Sequence, residues 1–120
     1  MLLEAALFCL AFNVHYEDGH EHPICQEAIV HSTLNRARHR KRSICETVFA
    51  HKQYSWTLRS SNKPPTDRQL THAFKIVRRA AAQRDFTDGA THYHRFDVHP
   101  SWDRDMQHVG RWCSHDFYKE

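Results

Sequence analysis

The sequence lacks several features that would place it in a special class of protein. It contains no internal repeat, no low-complexity tract, no linker-like break and no Cys-x-x-Cys pair. Without such a pair, nothing indicates a zinc ribbon or a thioredoxin-like site. The 120 residues are 40% apolar and 26% charged, which is typical of a globular chain rather than a disordered one. We therefore expect residues 1–120 to form a single domain.

The N-terminus lacks the marks of a signal peptide or a membrane span. Residues 1–14 are apolar, but they include Glu4 and have no basic start and no small-residue cleavage site. They are also too few to cross a bilayer as a helix, so we expect no membrane insertion. The segment instead predicts a first core helix, with an apolar stripe at Leu3, Leu7, Leu10 and Val14.

Basic residues are in only slight excess over acidic residues. The chain has 17 lysines and arginines against 14 acidic residues, a formal net charge of +3, and 12 histidines. The histidines make the net charge strongly dependent on pH below about 7. A weakly basic surface favours polyanions in general and does not choose among nucleic acid, teichoic acid, lipopolysaccharide and acidic glycans.

The four cysteines leave two interpretations open. Cys9, Cys25, Cys45 and Cys113 could form two disulfides in any of three pairings, or stay as buried thiols. We expect a buried free thiol for Cys9, because it falls within an apolar helical stretch.

Apolar spacing and capping signals predict a chain dominated by helices. Ser43–Glu46 and Thr66–Gln69 are capping boxes, Pro23 suits the first turn of a helix, and Asp18-Gly19 marks a helix end. These signals predict helices at about 3–17, 23–37, 44–50 and 67–84 and a short strand within 90–96. After Pro100 the pattern of apolar and polar residues is irregular and predicts no element. The fold class is therefore α+β, predominantly helical, with a small β element.

Four motif islands occur in order along the chain. They are CLAFNVHYE at 9–17, QEAIVHSTLNR at 26–36, CETVF and QYSW within 45–56, and GATHYH at 89–94, with a closing segment HDFY at 115–118. In this order and spacing they resemble the cell wall hydrolase family that contains the spore-cortex-lytic enzymes of the SleB and CwlJ type. The resemblance covers nearly the whole chain, and its specificity comes from the series rather than from any single island.

The resemblance implies a lysozyme-like domain that cleaves peptidoglycan between N-acetylmuramic acid and N-acetylglucosamine, and it implies no cofactor. The family's EARGE motif matches residues 17–21, which read EDGHE, so its catalytic glutamate falls on Glu17. Gly19 and His20 replace the family's arginine and glycine, and Cys25 replaces the usual glycine before Gln26. These departures bear on substrate details and loop geometry and leave the carboxylate in place.

The position of Glu17 fits an acid catalyst on physical grounds as well. At the C-terminal end of an apolar helix, the helix dipole disfavours a negative charge and should raise the carboxyl pKa above its ordinary value of about 4.3. A glycosidic oxygen leaves readily only once it is protonated, so a carboxylic acid that keeps its proton is the simplest catalyst. A glutamate at a helix end is usually just solvated, and the motif context reverses that preference here.

A second catalytic carboxylate would distinguish a hydrolase from a lytic transglycosylase. Hydrolysing glycosidases usually use two carboxylates, and the candidates are Asp85, Asp88 and Asp97, although no motif requires them. One glutamate suits a lytic transglycosylase. Glu17 would first protonate the leaving oxygen and then accept the proton of the muramic acid 6-hydroxyl, which closes a 1,6-anhydro ring. We favour the lytic transglycosylase.

The resemblance also suggests which residues line a sugar groove. Aromatic faces pack on pyranose rings, and short polar groups bind acetamido arms. One wall is predicted from Gln53, Ser55, Trp56 and Thr57, and the opposite wall from His92, Tyr93 and His94. Gly89 would let the backbone approach the substrate closely. Glu21 is expected either to support the site or to form a structural ion pair or cap.

Other residues allow rival interpretations. The pairs His20/His22 and His92/His94 have zinc-ligand spacing without a clear third ligand, so we expect no metal site, and a zinc-dependent amidase or peptidase ranks low. The basic run from Arg36 to Arg42 fits a solvated loop, electrostatic contact with the anionic cell envelope, or, last, a DNA-associated protein. A binding protein for peptidoglycan that has lost activity is the nearest rival.

The chain's brevity suggests a biological context. We expect a phage or prophage endolysin, or a related virion-associated or bacterial lysin. An endolysin with no recognised signal peptide would stay in the host cytoplasm until a holin gave it access to the periplasm and the cell wall.

Overall fold

Helices come first along the described part of the chain, and a small sheet follows. The computed structural model describes residues 2–50 and 63–120, and within them it forms four α-helices and three strands. The helices are α1 (Glu4–Asp18), α2 (Pro23–Arg40), α3 (Ile44–Phe49) and α4 (Asp67–Ala82). The strands are β1 (His92–Arg95), β2 (Gln107–Trp112) and β3 (His115–Lys119), with a short 3-10 helix at Ser101–Asp105. The predicted α+β class with predominant helix is confirmed.

Local capping signals set the helix boundaries. At both predicted capping boxes, Ser43 before α3 and Thr66 before α4, the side chain accepts a hydrogen bond from a backbone amide three residues on, and the reciprocal bond is present. Pro23 begins α2, and Lys41 ends it in the left-handed conformation with φ 54°. The predicted boundaries of the helices agree with the structure to within about three residues.

The main core lies where α1, α2 and α4 meet. Each helix contributes a stripe of small and medium apolar side chains, and Phe117 of β3 completes the cluster without any exposed surface. Its buried members on the helices are Leu10, Ala11, Val14, Ala28, Ile29, Val30, Ala73, Ile76, Val77 and Ala80. Burial of this kind is the main driving force for folding, so the core fixes how the ends of the helices lie relative to the sheet.

β3 lies between β1 and β2 in an antiparallel sheet. Its register pairs Tyr93 with Phe117 and Arg95 with His115. The sequence pattern predicted no element after Pro100, where the structure has β2 and β3. The reason is that β2 and β3 have no regular alternation of apolar and polar residues, and their pairing is fixed by tertiary contacts that single-sequence periodicity does not capture.

All four cysteines form disulfides. Cys9 joins α1 to Cys45 of α3 with a Cα–Cα distance of 5.4 Å, and Cys25 joins the first turn of α2 to Cys113 with a distance of 5.9 Å. Both distances suit a disulfide. The expectation of a free thiol at Cys9 was wrong, because Cys9 lies on the side of α1 that packs against Val48 of α3 and not on the Leu10–Val14 stripe.

None of the helices in residues 2–50 and 63–120 has both the length and the apolar character needed to cross a membrane.

The disulfide pairing predicts the result of two paired substitutions. Cys25 and Cys113 are 88 residues apart and Cys9 and Cys45 are 36 apart, so loop entropy predicts a larger loss of stability for the longer loop. We expect Cys25→Ala/Cys113→Ala to lower the free energy of unfolding by roughly 4–5 kcal/mol, about 0.8 kcal/mol more than Cys9→Ala/Cys45→Ala. Denaturant titration measures both variants. Free thiols in a non-reducing peptide digest would contradict the pairing.

Candidate active site

The end of α1 turns a carboxyl group into the protein interior. The buried stripe of α1 runs through Leu10 and Val14, and the same spacing of four residues brings Asp18 to the buried side of the helix. Asp18 is only 4% exposed, whereas Glu17, one residue earlier, is half-buried at the edge of the stripe. Two adjacent carboxyl groups therefore occupy very different surroundings.

Asp18 faces His115 of β3. Its Oδ1 lies 3.7 Å from His115 Nδ1, and within the described part of the chain neither Asp18 Oδ2 nor His115 Nδ1 has a hydrogen-bond partner. Burial, followed by the charges of Glu21 and Glu17, raises the pKa of Asp18 to about 7, while Arg95 opposes the shift.

The same surroundings act on His115 in the opposite way. Burial, reinforced by the positive charge of Arg95, lowers the pKa of His115 to about 4. Between about pH 4 and 7, Asp18 therefore keeps its proton and His115 stays neutral. The pair is uncharged over the range in which an exposed aspartate would be ionised.

Glu21 lies close to this pair. The Ser114 hydroxyl, in the turn between β2 and β3, donates a hydrogen bond to Glu21 Oε1, and the Glu21 amide donates to the Asp18 carbonyl at 3.1 Å. Its charge is also one cause of the raised pKa of Asp18. The structure thus brings Glu17, Asp18 and Glu21 together around the end of α1.

Gln26 of α2 fixes the end of α1. It is fully buried, and its Nε2 donates to the carbonyls of Asp18 at 3.1 Å and Gly19 at 3.4 Å. Its Oε1 lies 2.9 Å from His72 Nε2 of α4. Terminal carbonyls of a helix have no partner within the helix, so this amide satisfies two of them and ties three helices together. We did not predict this role for Gln26, although it lies in the second motif island.

The three residues predicted for the second groove wall, His92, Tyr93 and His94, lie on two different faces of the sheet. Cross-strand partners share a face, so Tyr93 lies with His115 and Phe117, and both ring distances are 5.4 Å. His92 and His94 lie on the opposite face, where their rings contact Trp102 at 5.2 and 5.5 Å. Tyr93 alone of the three therefore lies on the Asp18 side, and His92 and His94 lie on the face that points away from Asp18.

The remaining predicted groove residues lie elsewhere. Gly89 adopts a positive φ of 81° in the turn before β1, next to Lys119. Lys119 ends β3, whereas His115 begins it, so Gly89 is at the far end of the sheet from Asp18. The four predicted residues Gln53, Ser55, Trp56 and Thr57 lie outside the described residues.

The carboxylates predicted as second catalytic groups have other partners or positions. Asp85 accepts hydrogen bonds from the Thr87 amide and hydroxyl, from the Gly89 amide and from Asn35 Nδ2, so it organises the turn after α4. Asp97 is exposed and pairs with Arg95 at 3.2 Å, and Asp88 is exposed in the same turn as Gly89. The sequence predictions did not include Asp18, although the spacing of Leu10, Val14 and Asp18 was a usable signal.

Metal ligation and a side cleft were also considered. In residues 2–50 and 63–120, no three His, Cys, Asp or Glu side chains are grouped so that they could hold a metal ion. A cleft of about 300 Å³ opens beside α1 and α4, and its polar lining includes His15, His20, Arg68 and His72. Glu17 is not among the residues that line this cleft.

Family membership follows from the match to a family model. The model described as cell wall hydrolase matches residues 20–118, most of the chain. The protein belongs to the cell wall hydrolase family. Glu17 lies just before the matched span, so its role is argued from its position at the end of α1. No curated protein matches the chain by sequence.

A solved structure shares the fold of this cell wall hydrolase. The catalytic domain of the germination-specific lytic transglycosylase SleB from Bacillus anthracis is similar with a TM-score of 0.76 and 17% identity. The match covers 98% of this chain and 97% of that chain. The predicted lysozyme-like fold and the predicted SleB/CwlJ-type family are confirmed.

The basic run of this hydrolase is only partly a loop, because Arg36, Arg38 and Arg40 lie in α2 and Lys41 and Arg42 follow it. Arg36 is buried and Arg40 pairs with Glu120 at 3.2 Å, whereas Arg38, Lys41 and Arg42 are exposed. Cations in the last turn of α2 interact favourably with the helix dipole. Part of the run therefore stabilises the fold, and three side chains remain at the surface.

The raised pKa of Asp18 predicts a pH-dependent effect of Asp18→Asn. A carboxyl whose folded pKa is raised contributes stability that is present below its ordinary pKa, 3.8, and is lost as pH rises through about 7. The amide has the same shape and no charge. We expect D18N to match wild type near pH 4 and to be more stable by on the order of 1–3 kcal/mol near pH 8.

Thermal unfolding at the two pH values measures the difference. Asp88→Asn is the control, because Asp88 is an exposed carboxylate in the turn before β1, and it should unfold like wild type at both pH values. A D18N variant that is less stable than wild type at the higher pH would contradict the buried, uncharged state of Asp18.

Proposed function

We propose that this cell wall hydrolase cleaves the glycan strands of peptidoglycan between N-acetylmuramic acid and N-acetylglucosamine, with Glu17 as general acid and base. The observation that carries the proposal is the half-buried Glu17 at the C-terminal end of α1, beside the carboxyl groups of Asp18 and Glu21. Family membership and the fold shared with a lytic transglycosylase domain support the same substrate.

Glu17 lies at the carbonyl end of α1, where a helix generally disfavours a further negative charge. Glu17 gives a proton to the glycosidic oxygen as the bond to C1 of muramic acid breaks. The resulting carboxylate then faces the positive charge that develops at C1, which it stabilises.

The burial of Asp18 favours the lytic transglycosylase over the muramidase. A hydrolase needs a second carboxylate that reaches a water molecule or C1, and the Asp18 side chain is only 2% exposed. In the transglycosylase, Glu17 takes the proton of the muramic acid 6-hydroxyl while that oxygen bonds to C1. The 1,6-anhydro ring closes, Glu17 regains the proton it gave, and no water is consumed.

An inactive peptidoglycan-binding protein is the second candidate. The departure from the family pattern at Asp18, Gly19 and His20 motivates it. A protein of that kind would bind sacculi without releasing fragments. The comparison of wild type with Glu17→Gln separates the two candidates.

The cellular context is proposed from the disulfides and the surface charge. Disulfides form and persist in oxidising compartments, which supports action outside the cytoplasm, at the cell wall. We propose a phage-type endolysin that stays in the host cytoplasm until a holin opens its route, or a virion-associated lysin. The exposed Arg38, Lys41 and Arg42 would contact the anionic cell envelope.

Glu17→Gln should abolish glycan cleavage. The amide keeps the size of the side chain and cannot give or take the proton, so we expect at least a roughly 100-fold loss of rate with binding to sacculi retained. Mass spectrometry of released muropeptides measures the products, and wild type should yield anhydro-muramic ends. Glu4→Gln, an exposed residue of the first turn of α1, is the control and should cleave like wild type.

The outcomes of this experiment are distinct. Lysis by the Glu17→Gln variant at the wild-type rate would show that Glu17 is not the acid. Reducing muramic ends from wild type would mean a muramidase. Binding of wild type to sacculi without any glycan cleavage would favour the inactive binding protein.

The surface cations predict salt-dependent binding. We expect Arg38→Gln/Lys41→Gln/Arg42→Gln to reduce co-sedimentation with sacculi that carry anionic polymers at low salt, and the difference to shrink above about 0.15 M salt. Lys75→Gln/Arg84→Gln/Arg104→Gln removes the same charge from other exposed positions and should bind more like wild type. An equal loss of co-sedimentation in both variants would assign the effect to net charge. In a separate gel shift, tight binding of the wild-type protein to duplex DNA would favour the DNA-associated rival.

A further inference from the structure

The turn at 113–115, between β2 and β3, is tied to the candidate active site at three consecutive residues. Each of them contacts a different residue of the segment 18–25, which joins α1 to α2. The contacts are the disulfide Cys113–Cys25, the hydrogen bond Ser114–Glu21 and the pair His115–Asp18. The position of the turn therefore decides what surrounds the carboxyl groups beside Glu17.

The backbone of this turn needs support from outside. Cys113 has a φ of 53°, in the left-handed region that residues other than glycine rarely adopt. Two-residue hairpin loops favour Gly, Asn or Asp at positions with positive φ, whereas this loop consists of Cys113 and Ser114. A conformation of this kind persists only where surrounding contacts impose it, and the disulfide to Cys25 is the covalent contact available.

We propose that the Cys25–Cys113 disulfide is a redox-dependent positioning element of the active site, which places Ser114 and His115 against Glu21 and Asp18 only in the oxidised protein. This inference rests on the proposed function of Glu17 for its effect on activity. Its structural part, the placement of His115, can be tested without any activity measurement.

The redox chemistry is ordinary thiol–disulfide exchange. Formation of the bond removes two electrons and two protons from the Cys25 and Cys113 thiols, and a partner disulfide accepts them as it is reduced to a dithiol. Dithiothreitol reverses the reaction and becomes the cyclic disulfide. Cys25 is buried, but Cys113 is exposed, so an attacking thiolate can reach the Cys113 sulfur.

The second disulfide supplies a matched control. Cys9–Cys45 joins α1 to α3 and makes none of the contacts at the turn. Cys9→Ser/Cys45→Ser therefore removes a covalent link of the same kind from the same chain and leaves the turn tied. Reduction of the wild-type protein breaks both links, so the paired substitutions are needed to separate them.

The ring pKa of His115, followed by NMR titration, tests the placement directly. The His115 ring lies 3.7 Å from Asp18 and is influenced by the charges of Glu21, Arg95, His94 and Asp116. In the oxidised protein, burial followed by Arg95 lowers its pKa to about 4. In Cys25→Ser/Cys113→Ser we expect the pKa to move towards 6.5 as the ring leaves this environment. In Cys9→Ser/Cys45→Ser we expect it to stay near 4.

Activity on purified sacculi is the second readout. We expect Cys25→Ser/Cys113→Ser to lose about tenfold in kcat or more with KM little changed, and Cys9→Ser/Cys45→Ser to keep wild-type activity at temperatures where it is folded. Ser114→Ala, which removes one tie and leaves both disulfides, should show a smaller loss in the same direction. Dithiothreitol should inactivate the Cys9→Ser/Cys45→Ser variant.

Circular dichroism identifies any variant that is unfolded. If Cys25→Ser/Cys113→Ser does not fold, the comparison is made on Cys9→Ser/Cys45→Ser with and without dithiothreitol below its unfolding temperature. An unchanged His115 pKa after loss of Cys25–Cys113 would overturn the proposal whatever the activity. A shifted pKa with unchanged activity would also overturn it, whereas full activity of Glu17→Gln would instead remove the proposed function.

Discussion

The buried amide of Gln26 is the interaction on which the geometry of the candidate site depends. It bonds to the last carbonyls of α1 and to His72 of α4, so all three long helices meet at one side chain. A buried amide left without partners costs more free energy than a typical hydrogen bond contributes. Any shift of α1 along its axis would break these bonds, and Glu17 and Asp18 at its end are therefore held in place by α2.

The small sheet packs against the helical core and contributes His115 to the candidate site. Phe117 is fully buried against the helical core, and it lies two residues after His115 on the same face of β3. β3 therefore packs into the core through Phe117 and places the imidazole of His115 next to Asp18. The disulfide at Cys113 and the hydrogen bond at Ser114 act on the preceding turn, so the sheet and the helix end are joined through adjacent residues.

Local signals in the sequence account for the helices. The two capping boxes, Pro23 and the apolar stripes act within a few residues of one another, and the structure contains them except at Leu3, which is exposed at the N-cap of α1. The family motifs also led to the correct family and fold. What could not be read from local signals is the pairing of β2 with β3 and of the cysteines, because both depend on contacts between distant residues.

The site itself was only partly predictable. The motif pointed to Glu17, but the search for a second carboxylate considered residues far along the chain and passed over Asp18, its neighbour. His115 became relevant only when the register of β3 placed it against α1. Burial, which distinguishes Asp18 from Glu17, is a property of the assembled core and not of the motif.

Side chains alternate between the two faces of the sheet along β1, so the motif at 89–94 contributes to two different environments. His92 and His94 face Trp102 on the outer side of the sheet, while Tyr93 between them faces His115 and Phe117. Adjacent residues of one motif therefore pack in different environments. His92 and His94 contact Trp102 on one face of the sheet, and Tyr93 packs on the other face, towards the end of α1. Tolerance to substitution in this strand should therefore be judged position by position, with a period of two.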